Sequence, residues 1–439
     1  MKFPSLYFLA LFSVFSCIHI PNQYNSLAPG IWRGEFVLND QNQIIITKGK
    51  DEVITRDVSP EKKKFTIPCN FMVYYNLEKQ AQIVWINGKD SIVSKEVYVG
   101  RNGKTGEDTF LIEMHPYDAC IKGIFDNDQM KGNFIVRDKK NYSIPFQAKF
   151  AQNYRFEKNP ISTFQSVAGE WQVNFIEDDS TSFAAVGEFT QDRDRIQGTF
   201  RTETGDFGFL EGQANGNSFK LSCFDGAHVF LFDGVIDKDS IYGDFYSGNH
   251  FKCKFQGKRT NSGLLKNANE IAKIKSNQAF IFQFENQDGK MITNNAEEYK
   301  DKIKIVQLSG TWCPNCKDES NFLKTYLENN PNAPISVFAI FFERSADKTK
   351  ALQRIKNYKD QMQIPYNTLY GGISNRDSAS SKIPAIDQIH AFPTLLYLNQ
   401  QNQIVKVHTG FDGPATSKYK EFAEDFHNTI ERLSNSNKN

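Results

Sequence analysis

From position 165 to 259, apolar and polar residues alternate with a period of two. That is the pattern of strands with one face buried and one face wet. Eight short runs carry it: "WQVNFI", "FAAVGEF", "RIQGTFR", "FGFLEG", "SFKLSCF", "HVFLFDGVI", "SIYGDFY" and "HFKCKFQ". Turn-forming stretches such as "EDDS", "ETGD", "ANGN" and "DKDS" separate them. Runs recurring about every ten residues predict an antiparallel meander, which best avoids exposed edges by closing into a barrel.

Positions 26–156 carry a looser version of the same pattern. Gly30-Ile31-Trp32 echoes Gly169-Glu170-Trp171 near the starts of the two segments, and "FDNDQMKGNF" echoes "IDKDSIYGDF" near their ends. A glycine, one residue and a tryptophan on a first strand also occur in lipocalin-like barrels. The expectation is two antiparallel β modules, barrel or sandwich, in tandem from an old duplication. The polar stretch "RNGKTGED" in the first module reads as a solvated hairpin tip, because no helix follows it as a phosphate cradle requires.

The period changes after a polar linker at 260–275. Across 276–436 strands and helices alternate, which predicts an α/β domain. "KIKIVQLSG" is a buried strand, "CKDESNFLKTYLENN" a helix with Phe322, Leu323, Tyr326 and Leu327 as its apolar stripe, and "ISVFAIFFE" the next buried strand. "PTLLYLN" and "QIVKVHTGF" form a hairpin, and an amphipathic helix ends the segment.

Composition adds location. The 439 residues carry 52 Lys+Arg against 51 Asp+Glu, a net charge of +1 that gives no footprint for nucleic acid. Positions 1–17 read as a signal peptide: Lys2, then the apolar run "LYFLALFSVF", too short to span a bilayer. "VFSC" resembles a bacterial lipobox, which would make Cys17 a lipidated residue and place the protein on the periplasmic side of the cell envelope. An ordinary secretory signal is the alternative. With Cys17 lipidated, six cysteines remain, an even number suited to pairing in an exported chain. They fall along the chain as Cys69 with Cys120, Cys223 with Cys253, and Cys313 with Cys316. For Cys223 and Cys253, on the apolar sides of their strands, a buried disulfide and two reduced core thiols are both open.

The third pair carries chemistry. "TWCPNC" places Cys313 at the end of a buried strand and the start of a helix, where free N–H groups and the helix dipole favour thiolate over thiol. The pKa of Cys313 should then lie below the free value of ~8.5, with Cys316 placed to resolve a mixed disulfide. Pro314 suits a first helical turn that needs no N–H. Structural zinc would need further paired ligands nearby, and covalent haem attachment would need a histidine where Lys317 stands. No metal and no cofactor is expected.

"TWCPNC" together with "FPT" at Phe392–Thr394 resembles the thioredoxin superfamily, and more narrowly the TlpA/ResA branch of exported thiol–disulfide reductases. The helix-containing insert between Ile335 and His390 and the stretch "HTGFDGPAT" are similar to that branch. The resemblance spans about 276–436. It implies a thioredoxin-like fold, a redox-active Cys313–Cys316 disulfide, and a cis peptide bond at Pro393 that exposes backbone for a substrate strand. Trp312, Pro314, Phe392, Pro393 and Thr394 are then the substrate-binding residues. Glu343 falls about where such members carry an acidic residue that influences proton transfer to the thiols. Thioredoxins carry a buried aspartate six residues before the first cysteine, but Gln307 stands there in this chain. His390 is a further candidate to line the site. Peroxiredoxins share the fold, but their TxxC spacing is absent, since Thr311 precedes Cys313 by two.

The function expected is therefore reduction of disulfides in exported proteins, with apo-cytochromes c a family-level suggestion and a membrane protein as electron donor. Two other roles are open. One is a partner- or ligand-binding lipoprotein with an accessory redox domain, and the other is a thiol peroxidase.

Overall fold

The computed structural model describes residues 26–39, 64–161, 165–178 and 181–435. The leader at 1–17, Cys17 included, lies outside them. Three sheets account for the described chain, and the first two are antiparallel and curl around aromatic cores.

The first sheet has nine strands, from Gly30–Asn39 to Ser143–Phe150. Its first strand lies between the second, Lys64–Tyr75, and the ninth, so the meander wraps back on its own start. Trp32, Phe36, Phe71, Trp85 and Phe134 fill the interior. The second sheet also has nine strands, the eight expected plus the two-residue Gly205–Asp206. Its strand Ser182–Asp192 pairs with Arg195–Thr202, which closes the barrel. Phe175, Phe200, Phe219, Phe232 and Phe255 pack inside. Both interiors are filled with side chains, as expected of small barrels.

The two modules repeat the same local devices. Trp32 Nε1 donates to the Ala28 carbonyl at 2.9 Å, and Trp171 Nε1 donates to Val167 at 2.8 Å. Gly30 and Gly169, both at positive φ, admit the bend that brings each indole back to the residue four before it. Farther on, Gly123 faces Gly132 across one hairpin and Gly234 faces Gly243 across another. A Cβ on Gly123 would lie 2.0 Å from the Lys131 carbonyl, and one on Gly243 2.1 Å from Asp233. The tips of these hairpins hold Asn127 and Lys238 at φ 43° and 54°.

Buried polar side chains lock the modules together. Arg155 donates to Ser222 Oγ at 2.8 Å, the Ser222 carbonyl at 3.1 Å and the Ile86 carbonyl at 3.0 Å, and pairs with Glu211 at 3.4 Å. Phe224, Val229 and Leu231 of the second module pack into the core of the first.

The third sheet has seven strands. Ile303–Ser309 is central, parallel to Ile335–Glu343 and antiparallel to Thr394–Leu398. Asn367–Ile373 extends the parallel part, and the hairpin of Thr394–Leu398 with Ile404–Thr409 forms the other edge. All seven residues of Ile303–Ser309 are buried, because apolar layers cover both faces. Helices Pro314–Asn329, Lys348–Met362 and Tyr419–Asn435 belong to this α/β domain. Among the described residues no helix is long and apolar enough to cross a membrane.

Candidate functional site

The central strand Ile303–Ser309 delivers the chain to the surface end of the sheet, and the helix Pro314–Asn329 begins at once. Cys313 is the N-cap of that helix. Its Sγ accepts from the Cys316 backbone N–H at 3.2 Å, with Pro314 in the first turn. Cys313 and Cys316 are joined by a disulfide. Cys313 is 4% exposed and Cys316 is fully buried. A reduced Cys313 at this position would have its thiolate held by a helix N-terminus.

Phe392–Pro393 is a cis peptide bond, and the Phe392 carbonyl lies 3.5 Å from Cys313 Sγ. Gly410 N–H donates to the Pro393 carbonyl at 2.8 Å. Thr394 is buried and donates from its hydroxyl to the Ala391 carbonyl at 2.8 Å, which fixes the loop leading into the proline. Trp312 is partly exposed. Its indole donates to the Phe342 carbonyl at 3.0 Å and meets Phe392 edge-on at 5.9 Å, while the Arg344 guanidinium covers its ring at 4.5 Å. Arg344 in turn reaches Asp138 of the first module at 3.4 Å.

Glu343 is fully buried just behind this turn. It accepts from Thr311 N–H at 3.0 Å and from the Thr311 hydroxyl at 2.8 Å. Burial raises its pKa, and the two Thr311 bonds offset part of that rise. This carboxylate holds the turn that carries Trp312 and Cys313. His390 faces Asp387 at 3.6 Å.

Sequence reasoning passed over the residue whose setting best suits proton chemistry. Glu319 stands three residues after Cys316 on the same helix face, fully buried. Neither of its oxygens has a hydrogen-bond partner among the described residues. Burial pushes its pKa up to about 8, the nearby Gln307 amide opposing the shift. Gln307 itself donates to the Cys316 carbonyl at 3.3 Å and accepts from Ser320, which accepts from Tyr358. A proton acceptor poised near neutrality therefore lies one helical turn beyond the second cysteine. The signal was present in the sequence: in "CPNCKDE" the glutamate follows Cys316 at helical spacing.

The remaining described cysteines, Cys69, Cys120, Cys223 and Cys253, are free and buried. Burial pushes Cys69 and Cys253 up to about 12, which leaves them without thiolate at neutral pH.

No protein-family model and no curated protein matches the chain. Among solved structures it is similar to a thioredoxin-family thiol:disulfide interchange protein from Chlorobium tepidum TLS, at 19% identity over 37% of this chain and 99% of that one, with a TM-score of 0.29. It is similar to a thiol-disulfide oxidoreductase from Bacteroides fragilis NCTC 9343, at 17% identity over 33% of this chain and 98% of that one, with a TM-score of 0.26. StoA from Bacillus subtilis matches at 15% identity over 34% of this chain and 98% of that one, with a TM-score of 0.25.

Proposed function

We propose that this chain is a thiol–disulfide oxidoreductase that reduces disulfides in exported proteins through Cys313 and Cys316. One observation carries the reading: the cysteine pair caps a helix, with the Phe392–Pro393 cis bond beside its first sulfur and buried Glu319 one turn past its second. In the forward reaction the Cys313 thiolate attacks one sulfur of a substrate disulfide. That S–S bond breaks, the departing substrate thiolate takes a proton, and a Cys313–substrate disulfide forms. Glu319 as carboxylate accepts the Cys316 proton. The Cys316 thiolate then attacks Cys313 Sγ, releasing the second substrate thiol and leaving the Cys313–Cys316 disulfide. Two electrons have passed from the enzyme dithiol to the substrate, and a membrane electron donor restores the dithiol.

Trp312, Pro314 and Phe392 form the rim against which a substrate segment lies, and buried Pro393 and Thr394 shape the turn behind it. The Pro393 turn supports pairing of that segment with the backbone before it. Lipidation at Cys17 would hold the enzyme at the membrane, on the periplasmic side. The filled interiors of both β modules favour a role in presenting the redox domain over a role in enclosing a small ligand. A Cys316→Ala variant, expressed in an exporting cell, should accumulate mixed disulfides through Cys313 that mass spectrometry identifies. A variant that captures no exported protein, while the Cys313→Ser control is equally empty, would sink the proposal.

A further inference from the structure

The loop that holds the cysteine pair is contacted from outside its own domain. The strand Arg195–Thr202 of the second barrel turns back through Gly205–Asp206, and this turn at 202–206 rests on the cysteine loop. Gly205 is buried at φ +143, and a Cβ on it would lie 2.0 Å from Asn315 Nδ2, between the two cysteines in sequence. Thr204 backbone lies so close to Gly410 that a Cβ there would sit 2.7 Å from the Thr204 carbonyl carbon. Gly410 is the residue that bonds the Pro393 carbonyl. Asp206 fastens the turn, accepting from Gly413 N–H of the α/β domain at 2.8 Å and from Gly208 at 2.7 Å. Pro393 is buried and Cys313 nearly so. An incoming disulfide needs Cys313 Sγ and the backbone beside Pro393 at once, and the turn stands against Asn315 between the cysteines and against Gly410, which bonds Pro393.

Resting on the oxidoreductase reading above, we propose that the 202–206 turn is a gate that must leave the Asn315 and Gly410 surface before a substrate disulfide can reach Cys313. The gate thereby restricts exchange to partners that engage or displace the second barrel.

The contact has the chemistry of a reversible closure. At the turn itself the contact is made by Gly205 and Thr204 backbone, the Asn315 amide and the Asp206 carboxylate, all polar groups. A cleft of about 540 Å³ lined by Phe183, Phe207, Lys266 and Asn315 leaves room on one side of the turn. Acidic groups face Asp206 from each element packed on it. Asp318 comes from the helix, with Lys317 3.7 Å away, and Asp412 from the loop after Ile404–Thr409, with Arg201 at 4.0 Å. Glu188, on the strand beside the turn, is held by Arg201 at 3.0 Å and accepts from Ser417. Burial, then Asp318, pushes Asp206 up to about 7. Its closed-state pKa is raised from 3.8, so closure weakens as pH rises from about 4 to about 7 and levels off above that.

The test uses the reduced full-length protein. Alkylation of Cys313 is timed with iodoacetamide and with a polymer-conjugated maleimide, and mapped to Cys313 by mass spectrometry. The reduction potential is measured against glutathione. Gly205→Val strains the turn and drives it from Asn315; Asp206→Ala removes the fastening and serves if the first variant folds poorly. With an open fraction of roughly 10% or less in the wild type, either variant should speed the bulky reagent at Cys313 about tenfold or more, at unchanged potential. Wild-type rates, corrected for thiolate fraction, should rise between about pH 4 and pH 7 and level off above, and Asp206→Asn should remove that rise. Equal bulky-reagent rates in the wild type and both variants would overturn the gate. Failure of Cys313 and Cys316 to cycle with glutathione in any form would instead overturn the redox reading beneath it.

Discussion

Replacing Glu319 with glutamine should stabilise the protein at alkaline pH while slowing its chemistry. The carboxyl is fully buried, and its pKa is pushed from the ordinary 4.5 up to about 8. Between those two values the folded chain holds a proton that the unfolded chain releases. Stability therefore falls as pH rises across that window, by up to ~1.4 kcal/mol per pH unit. Over the whole window the loss is on the order of 5 kcal/mol. Glu319→Gln keeps the shape of the group and removes the titration, so its stability should lose this slope and exceed the wild type by several kcal/mol above about pH 8. Urea unfolding of the oxidised protein, followed by its helical circular dichroism, reads the effect where it belongs. Every helix among the described residues lies beyond Thr260, so the signal reports the α/β domain even when the modules unfold separately. The same variant should resolve mixed disulfides ~100-fold more slowly, the usual contribution of a positioned base, while alkylation of reduced Cys313 stays near the wild-type rate. Parallel stability-against-pH curves for wild type and variant would refute the buried-acid argument. Normal resolution with an altered slope would leave Glu319 buried but not the base.

Other outcomes follow from the packing. Glu343→Gln loses one acceptor for Thr311 and should cost about 1–3 kcal/mol in urea unfolding, with a loosened Trp312 visible as altered indole fluorescence. Arg155→Met removes a buried guanidinium that bonds both β modules, leaves Glu211 and Ser222 short of partners, and should cost about 3–5 kcal/mol by the same measurement. Changing Cys69, Cys120, Cys223 and Cys253 together to alanine should leave the redox cycle of Cys313 and Cys316 intact, since burial denies those four thiols a reactive thiolate. A redox titration of that variant matching the wild type is the expected result.

What the sequence made legible was what local periodicity and spacing control. Alternation in "SIYGDFY" and "HFKCKFQ" became paired strands, and "KIKIVQLSG" became a central strand buried on both faces. Within the β modules the state of the cysteines was not legible, because residues near in sequence lie apart in a barrel. The strand of Cys223 is separated from that of Cys253 by two others along the sheet. The buried carboxylates show the same limit at finer scale. Glu343 was found as a position, after a buried strand near the cysteines, but its two oxygens are engaged by Thr311. Glu319 follows a lysine and an aspartate, and such a run ordinarily marks a wet helix face. Its burial arises because Pro314–Asn329 packs that face, Ser320 included, against Gln307 of the central strand and Tyr358 of the helix Lys348–Met362. The turn at 202–206 was less legible still. It lies more than a hundred residues from Cys313, and no local feature of "ETGD" indicates that Gly205 faces the Asn315 side chain. Gly205 answers both to its own positive φ and to the Asn315 side chain opposite, and only the first of these is a local matter that sequence could reveal.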